Sequence, residues 1–153
     1  MQNLVSGRIA RLVLIQLQFV KKELLVAMQA IDELFNANQV NMQLLAVTPA
    51  VLSLLMVQVV VRQVLNTIRS SSSGRFVEST GAIHRDLRNG IRSLEKLLST
   101  STAYNSPSDD LTPTEWGQLM SILFRMQNLL VMHSSRFDDI SLRLLQVCGY
   151  PIV

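Results

Sequence analysis

Two histidines, one cysteine and a few paired carboxylates are the side chains in this 153-residue sequence best suited to catalysis or metal binding. Their spacing serves neither. His84 and Asp86 are two residues apart and would not share a helix face. Asp109-Asp110 falls in a polar stretch and Asp138-Asp139 near an expected helix start, where carboxylates favour a helix N-terminus or solubility. Cys148 has no histidine near it in sequence and reads as a small apolar residue. A single cysteine excludes an internal disulfide framework and a multi-cysteine zinc site. His133 reads as a helix-end residue. The sequence contains no glycine-rich phosphate loop, no nucleophile elbow and no His-Glu-x-x-His pattern. The expectation is a non-enzyme, with no catalytic residues, no metal ligands and no cofactor.

One set of side chains does suggest a surface function. Arg85, Arg88, Arg92 and Lys96 recur at spacings of three and four, so they share one side of a helix. Ile83, Leu87, Ile91, Leu94 and Leu98 form the other side. A basic amphipathic helix of this kind can rest on a membrane face, with its cations toward anionic lipid. These four residues are the candidate lipid-binding site. The same stripe would also serve as a solvated face balanced by Asp86 and Glu95. An RNA contact, as in an RNA-linked regulator, is a further alternative, without the interleaved aromatic residues that would support it; a soluble helical protein-interaction module is another.

Several elements must position that stripe. From Gly7 to Asn36, Ala10, Val13, Leu17, Val20, Leu24, Ala27, Ile31 and Leu34 repeat at alternating spacings of three and four, and the charged residues fall outside this seam. The pattern predicts a long amphipathic helix within residues 1–39, suited to a bundle, with the Val13-Leu17-Val20-Leu24 face also able to meet a protein partner. Leu12 to Val20 is uncharged and follows Arg8 and Arg11, as in a short signal peptide, but the seam runs straight through it and no small-residue cleavage site follows. Leu34 to Val61 contains Glu and Asp nowhere and Lys and Arg nowhere. Its densest part, within residues 40–61, has the length of a bilayer span, about 20 mostly apolar residues, with Gln43, Thr48, Ser53 and Gln58 polar but neutral, and Pro49 is easier to place in a membrane helix than in a soluble one. The expectation is one transmembrane helix there, with the core helix of a soluble bundle as the alternative. Leu119 to Met132 is also apolar, but Arg125 at its middle would cost about 2.5–3.5 kcal/mol in a span.

The remaining segments read in turn as a Ser-rich linker over 62–81, the basic amphipathic helix over 82–98 and a second linker over 99–112. A C-terminal helical segment follows over 113–148, with a possible break at Ser134-Ser135. Thr112-Pro113-Thr114-Glu115 carries a capping box with proline in the first helical position, a specific start signal. Cys148-Gly149-Tyr150-Pro151 has the order of a helix stop. The fold class is therefore all-α: a membrane-anchored helical protein with one transmembrane helix and three to four amphipathic helices.

Composition agrees. Charged residues are 16% and mean hydropathy is +0.29, whereas a soluble protein carries about 25% charged residues. Aromatics are 5%, too few for the stacking surfaces of single-stranded nucleic-acid binders. The net charge of +3 suits an anionic surface. Membrane lipids, anionic ones among them, are the expected partners, and nucleic acid is not.

The order of the residues also resembles a known family. Arg11-Leu12-Val13-Leu14-Ile15-Gln16-Leu17-Gln18, then Ala27-Met28-Gln29-Ala30-Ile31-Asp32-Glu33-Leu34, then Thr48-Pro49-Ala50 entering the apolar run, look like the C-terminal region of the nuclear control of ATPase protein 2 family. Plant suppressors of a galactolipid-synthesis defect share that region. The arginine-bearing segment Leu87 to Leu98 matches next, and the likeness is looser from Trp116 on. The segment after the apolar run, Arg62 to Asn66, lacks the aromatics of the family. The resemblance implies a mitochondrial helical protein, of the outer membrane. It implies a link to expression of ATP synthase subunits and to membrane lipid homeostasis, and it brings no catalytic residues. Family members are much longer, so the chain would correspond to one region of such a protein.

Overall fold

The computed structural model describes residues 7–36, 43–69, 74–101 and 110–147. They form four helices: α1 (Gly7–Asn36), α2 (Leu44–Arg69), α3 (Gly74–Thr100) and α4 (Pro113–Val147). There is no strand among the described residues, and a single bridge joins Gln43 to Asp110. The all-α expectation holds.

Each helix forms because one side of it is apolar at helical spacing and can be covered by the others. In α1 the buried residues are Ala10, Val13, Leu17, Val20, Leu24, Ala27, Ile31 and Leu34, the seam read from the sequence. In α2 they are Val47, Ala50, Leu54, Val57, Val61, Val64, Leu65 and Ile68. Thr80, Ile83, Leu87, Ile91 and Leu94 supply α3, and Leu119, Leu123, Met126, Leu130, His133, Phe137, Ile140 and Leu144 supply α4. Helices that follow one another pack together, and α4 returns to pack on α1. The result is a four-helix bundle in which each helix touches two neighbours around one core. Three contacts fix the register of α4 against α1. Lys21 pairs with Asp138, Gln127 donates to Asp32, and the rings of Phe35 and Phe124 meet edge-on at 6.4 Å. As the α1 partner moves up the chain the α4 partner moves down it, so the two helices are antiparallel. Gln16 Nε2 donates to Thr67 Oγ1 at 3.2 Å and ties α1 to α2 in the same sense.

The element boundaries depart from the sequence reading in three places. The apolar helix does not stop at Arg62, because Val64, Leu65 and Ile68 carry its seam on to Arg69 while Arg62 and Arg69 point outward. The expected start of the span, Val40, lies outside the described residues. The third helix begins at Gly74, well inside the expected Ser-rich linker, and buried Thr80 extends its seam one turn ahead of Ile83. Ser134-Ser135 does not interrupt α4, because His133 and Phe137 keep the spacing of three and four between Leu130 and Ile140. The start of α4 follows the capping box. Thr112 N–H donates to Glu115 Oε1 at 2.9 Å, and Glu115 N–H donates to Thr112 Oγ1 at 3.1 Å, which satisfies two otherwise orphaned donors.

By length and composition, α2 is the one described helix able to cross a membrane. Only 28% of its most apolar stretch is buried; Leu44, Ala46, Val51, Leu55 and Val60 pack partly against the core, and Leu45, Leu52, Met56 and Val59 face away from it.

The seam of α1 makes a direct prediction. Ile31 is fully buried, and Gln29 is exposed two positions away. Ile31→Asp should destabilise the bundle by about 3 kcal/mol or more, through a buried unpaired charge and lost apolar burial. Gln29→Asp should stay within about 0.5 kcal/mol. Urea unfolding of both variants, followed by helical circular dichroism, checks the difference.

Candidate functional site

The four basic residues singled out from the sequence lie on α3, and the structure leaves all four exposed. Their position on α3 has a definite side. Asp86, Gly90 and Ser93 line a cavity shared with Ile122, Arg125 and Met126 of α4. At about 100° per residue, Arg85, Arg88, Arg92 and Lys96 then fall on the outer surface, leaning away from α4 and toward α2. A small cavity lined by Leu44, Val47, Val51 and Leu52 of α2 and Leu98 of α3 shows which ends meet. The C-terminal half of α3, with Arg92 and Lys96, runs beside the uncharged first half of α2.

The outward face of α2 is apolar. Leu45 is 56% exposed, Leu52 60%, Met56 49% and Val59 51%. Phe19 and Val26 of α1 are exposed as well. They lie on the side of α1 that carries Gln16, which bonds to α2, so the two helices present one apolar ridge. Among the described residues α3 exposes no large apolar side chain. The outer surface of the bundle thus changes from apolar on α2 to basic on α3 across a single helix–helix boundary. Arg62 and Arg69 add positive charge at the far end of that boundary. His84 on α3 feels it: burial lowers its pKa first, and the positive charges of Arg88, Arg62 and Arg69 lower it further.

The α3–α4 boundary holds a second polar feature, which the sequence reading missed. His133 is fully buried at the middle of α4 rather than exposed at a helix end. Its Nε2 stands 3.3 Å from Asp86 Oδ2, without the alignment of a good hydrogen bond. Arg136 Nη1 lies 3.5 Å from Nδ1. A guanidinium can only donate, which leaves Nδ1 as acceptor and puts the ring proton on Nε2, toward Asp86. The signal that could have found this residue was its place on the seam, three after Leu130 and four before Phe137. Nearby, Gly90 has a packing reason: the Met126 side chain occupies the space a Cβ would take. The adjoining cavity, about 260 Å³, mixes Asp86, Asn89, Ser93 and Arg125 with apolar Ile122 and Leu129. His133 itself is sealed from solvent, so this pair joins two helices rather than offering a base to a substrate.

Among the described residues no three of His, Cys, Asp and Glu come close enough to hold a metal ion. Cys148 and Asp109 lie outside the described residues. The face Val13-Leu17-Val20-Leu24, expected to meet a protein partner, is instead filled by this chain's own core. A helix has one seam here, and the bundle uses it.

Residues 1–143 match the family model described as ATP synthase regulation protein NCA2. The chain is 30% identical over 139 residues to "Protein DGS1, mitochondrial" of Arabidopsis thaliana, a match covering 90% of this chain and 22% of that protein. The chain therefore spans about a fifth of the length of that relative. No solved structure matches it.

The buried histidine generates a pH prediction. The His133 pKa lies below its ordinary value of 6.5, chiefly through burial and then through Arg136, with Asp86 pulling the other way. The unfolded chain therefore takes up a proton first as the pH falls. The contribution of His133 to stability is complete above 6.5 and is lost as the pH falls from there through the lowered value. The urea midpoint should drop on acidification over that window. His133→Gln should reduce the slope. Asp86→Asn should increase it, because removing the carboxylate lowers the folded-state pKa further.

Proposed function

The chain belongs to the ATP synthase regulation protein NCA2 family, and on that premise we propose that it is a non-enzymatic helical region of a mitochondrial membrane protein, located in the outer membrane. Its role in this reading is to support membrane organisation and the biogenesis of ATP synthase components through helix and lipid contacts. The family is linked to ATP synthase regulation, and the plant relative is a mitochondrial protein. The observation that carries the membrane part is α2: a 26-residue helix, uncharged as far as Val61, whose outward face is apolar while its inward face fills the core. A soluble bundle gains nothing from leaving Leu45, Leu52, Met56 and Val59 in water. Burying one such side chain is worth roughly 1.5–3 kcal/mol, and lipid is a medium that would realise it without disturbing the fold. The chemistry supports a non-enzyme in the same way, since the His133 ring is sealed from solvent and cannot serve as a base to a substrate.

Leu52 tests this reading because it is exposed. Leu52→Arg should leave helicity and unfolding midpoint nearly unchanged, since surface substitutions usually fall within about 0.5 kcal/mol. It should still shift the chain from the membrane to the soluble fraction of mitochondria at physiological salt. In cells lacking the native protein, the wild-type chain within its full-length context should restore the level of assembled ATP synthase, and the variant should not. Unchanged membrane recovery of Leu52→Arg would remove the case for lipid on α2.

A further inference from the structure

The charge on α3 restricts how α2 can meet lipid. In the closed bundle α2 is packed along α3, and Arg88, Arg92 and Lys96 stand exposed beside its uncharged half. If α2 crossed the bilayer in this state, those cations would be carried to the hydrocarbon centre, where a charged side chain is strongly disfavoured. The seams of α1 and α3 would be uncovered if α2 left the bundle to cross alone. Neither obstacle arises if the bundle stays closed and lies on the membrane.

We propose that the closed bundle seats lengthwise on an anionic phospholipid surface along its α2 side, with the α2 ridge in the acyl layer and the α3 stripe on the headgroup phosphates. This rests on the reading that the outward face of α2 contacts lipid. Leu45, Leu52, Met56 and Val59 provide the apolar insertion. Arg88, Arg92 and Lys96 lie one helix away, the lateral offset that lets long basic side chains reach phosphate while their stems follow the apolar slope. Charge complementarity selects the occupant. A neutral protein groove would cover the ridge but leave the cations unmatched. An anionic bilayer matches both, and it extends along the whole length of the helix pair. The α4 side lacks this arrangement: its exposed apolar residues, Phe124, Val131, Met132 and Leu142, are interspersed with Arg125, Asp138, Asp139 and Arg143 of both signs. The α1 flank completes the ridge through Phe19 and Val26.

The test uses the 153-residue chain with vesicles of phosphatidylcholine, with and without cardiolipin, at low and high salt. Binding should require cardiolipin and weaken with salt. Arg88→Gln with Arg92→Gln should reduce partitioning by about twenty-five-fold, each cation near anionic lipid counting for roughly fivefold. Arg125→Gln with Arg143→Gln removes the same charge from α4 and should change it little. In a Cys148→Ser background, a polarity-sensitive dye on Leu52→Cys should report an apolar environment when vesicles are added, and a dye on Asn128→Cys should not. Alkaline carbonate should release the bound chain. Equal losses from the two arginine pairs would reduce the effect to net charge and overturn the surface. A Leu52 dye that stays in water would overturn it as well. Resistance to carbonate would mean that α2 crosses the bilayer and the bundle opens, which also overturns it. If Leu52→Arg abolishes binding while the Arg88/Arg92 variant binds normally, α2 still meets lipid but the α3 half of this surface is wrong.

Discussion

Helix α1 has no reason to hold its shape in water without cover for the apolar line from Ala10 to Leu34. Eight side chains along about 36 Å of helix must leave water together, and helical stability in proteins comes mainly from burying such a face rather than from propensity. α2 covers one flank of that line and α4 the other. Once both are placed, α3 has one position left, in the gap between them, where Ile83, Leu87, Ile91 and Leu94 close the core. The ring of four helices therefore follows from covering a single seam on both sides.

The same constraint leaves part of the α2 surface unexplained. A bundle helix needs only one apolar stripe. α2 meets that need with the residues from Val47 to Ile68 and then stays apolar on the opposite side as well. Nothing in the bundle requires the second apolar face. Of its neighbours, α3 turns cations outward, whereas α1 shares the surplus: it sets Lys21, Lys22, Glu23, Asp32 and Glu33 outside its seam but also exposes Leu12, Ile15, Phe19, Leu25 and Val26. The surplus apolar face and the basic stripe beside it are the features of this molecule that folding alone does not explain.

The polar contacts set register rather than supply much stability. Lys21–Asp138 is exposed on both sides, and pairs of that kind are worth about 0–1 kcal/mol. His133 is different, because it sits where an apolar residue would serve the core. A buried polar group costs free energy unless it is paired, and the pairing with Asp86 is available only when α3 and α4 stand in one alignment. Met126 fitting over Gly90 requires the same alignment. The two contacts together fix how α3 lies on α4, and so fix the direction in which the α3 stripe faces.

The amino-acid sequence determined the fold class, the α1 seam residue by residue, and the start of α4, because these depend on spacing along one helix and on a four-residue hydrogen-bonding motif. It also identified Arg85, Arg88, Arg92 and Lys96 as one face. The likeness to the family was legible in short runs such as Arg11 to Gln18. The sequence misplaced the limits of α2 and α3, since Arg62 and the serines after it look like an end when read singly, and only burial of Val64, Leu65, Ile68 and Thr80 against neighbours shows that the helices continue. His133 was misread for the same reason: a histidine is polar in isolation, and its cost or benefit depends on a carboxylate brought from another helix. Which side of α2 faces inward, and that the basic stripe lies beside the other side, are likewise facts about neighbours. Periodicity can assign faces within a helix, but two helices acquire a common surface only when the core has fixed their rotation.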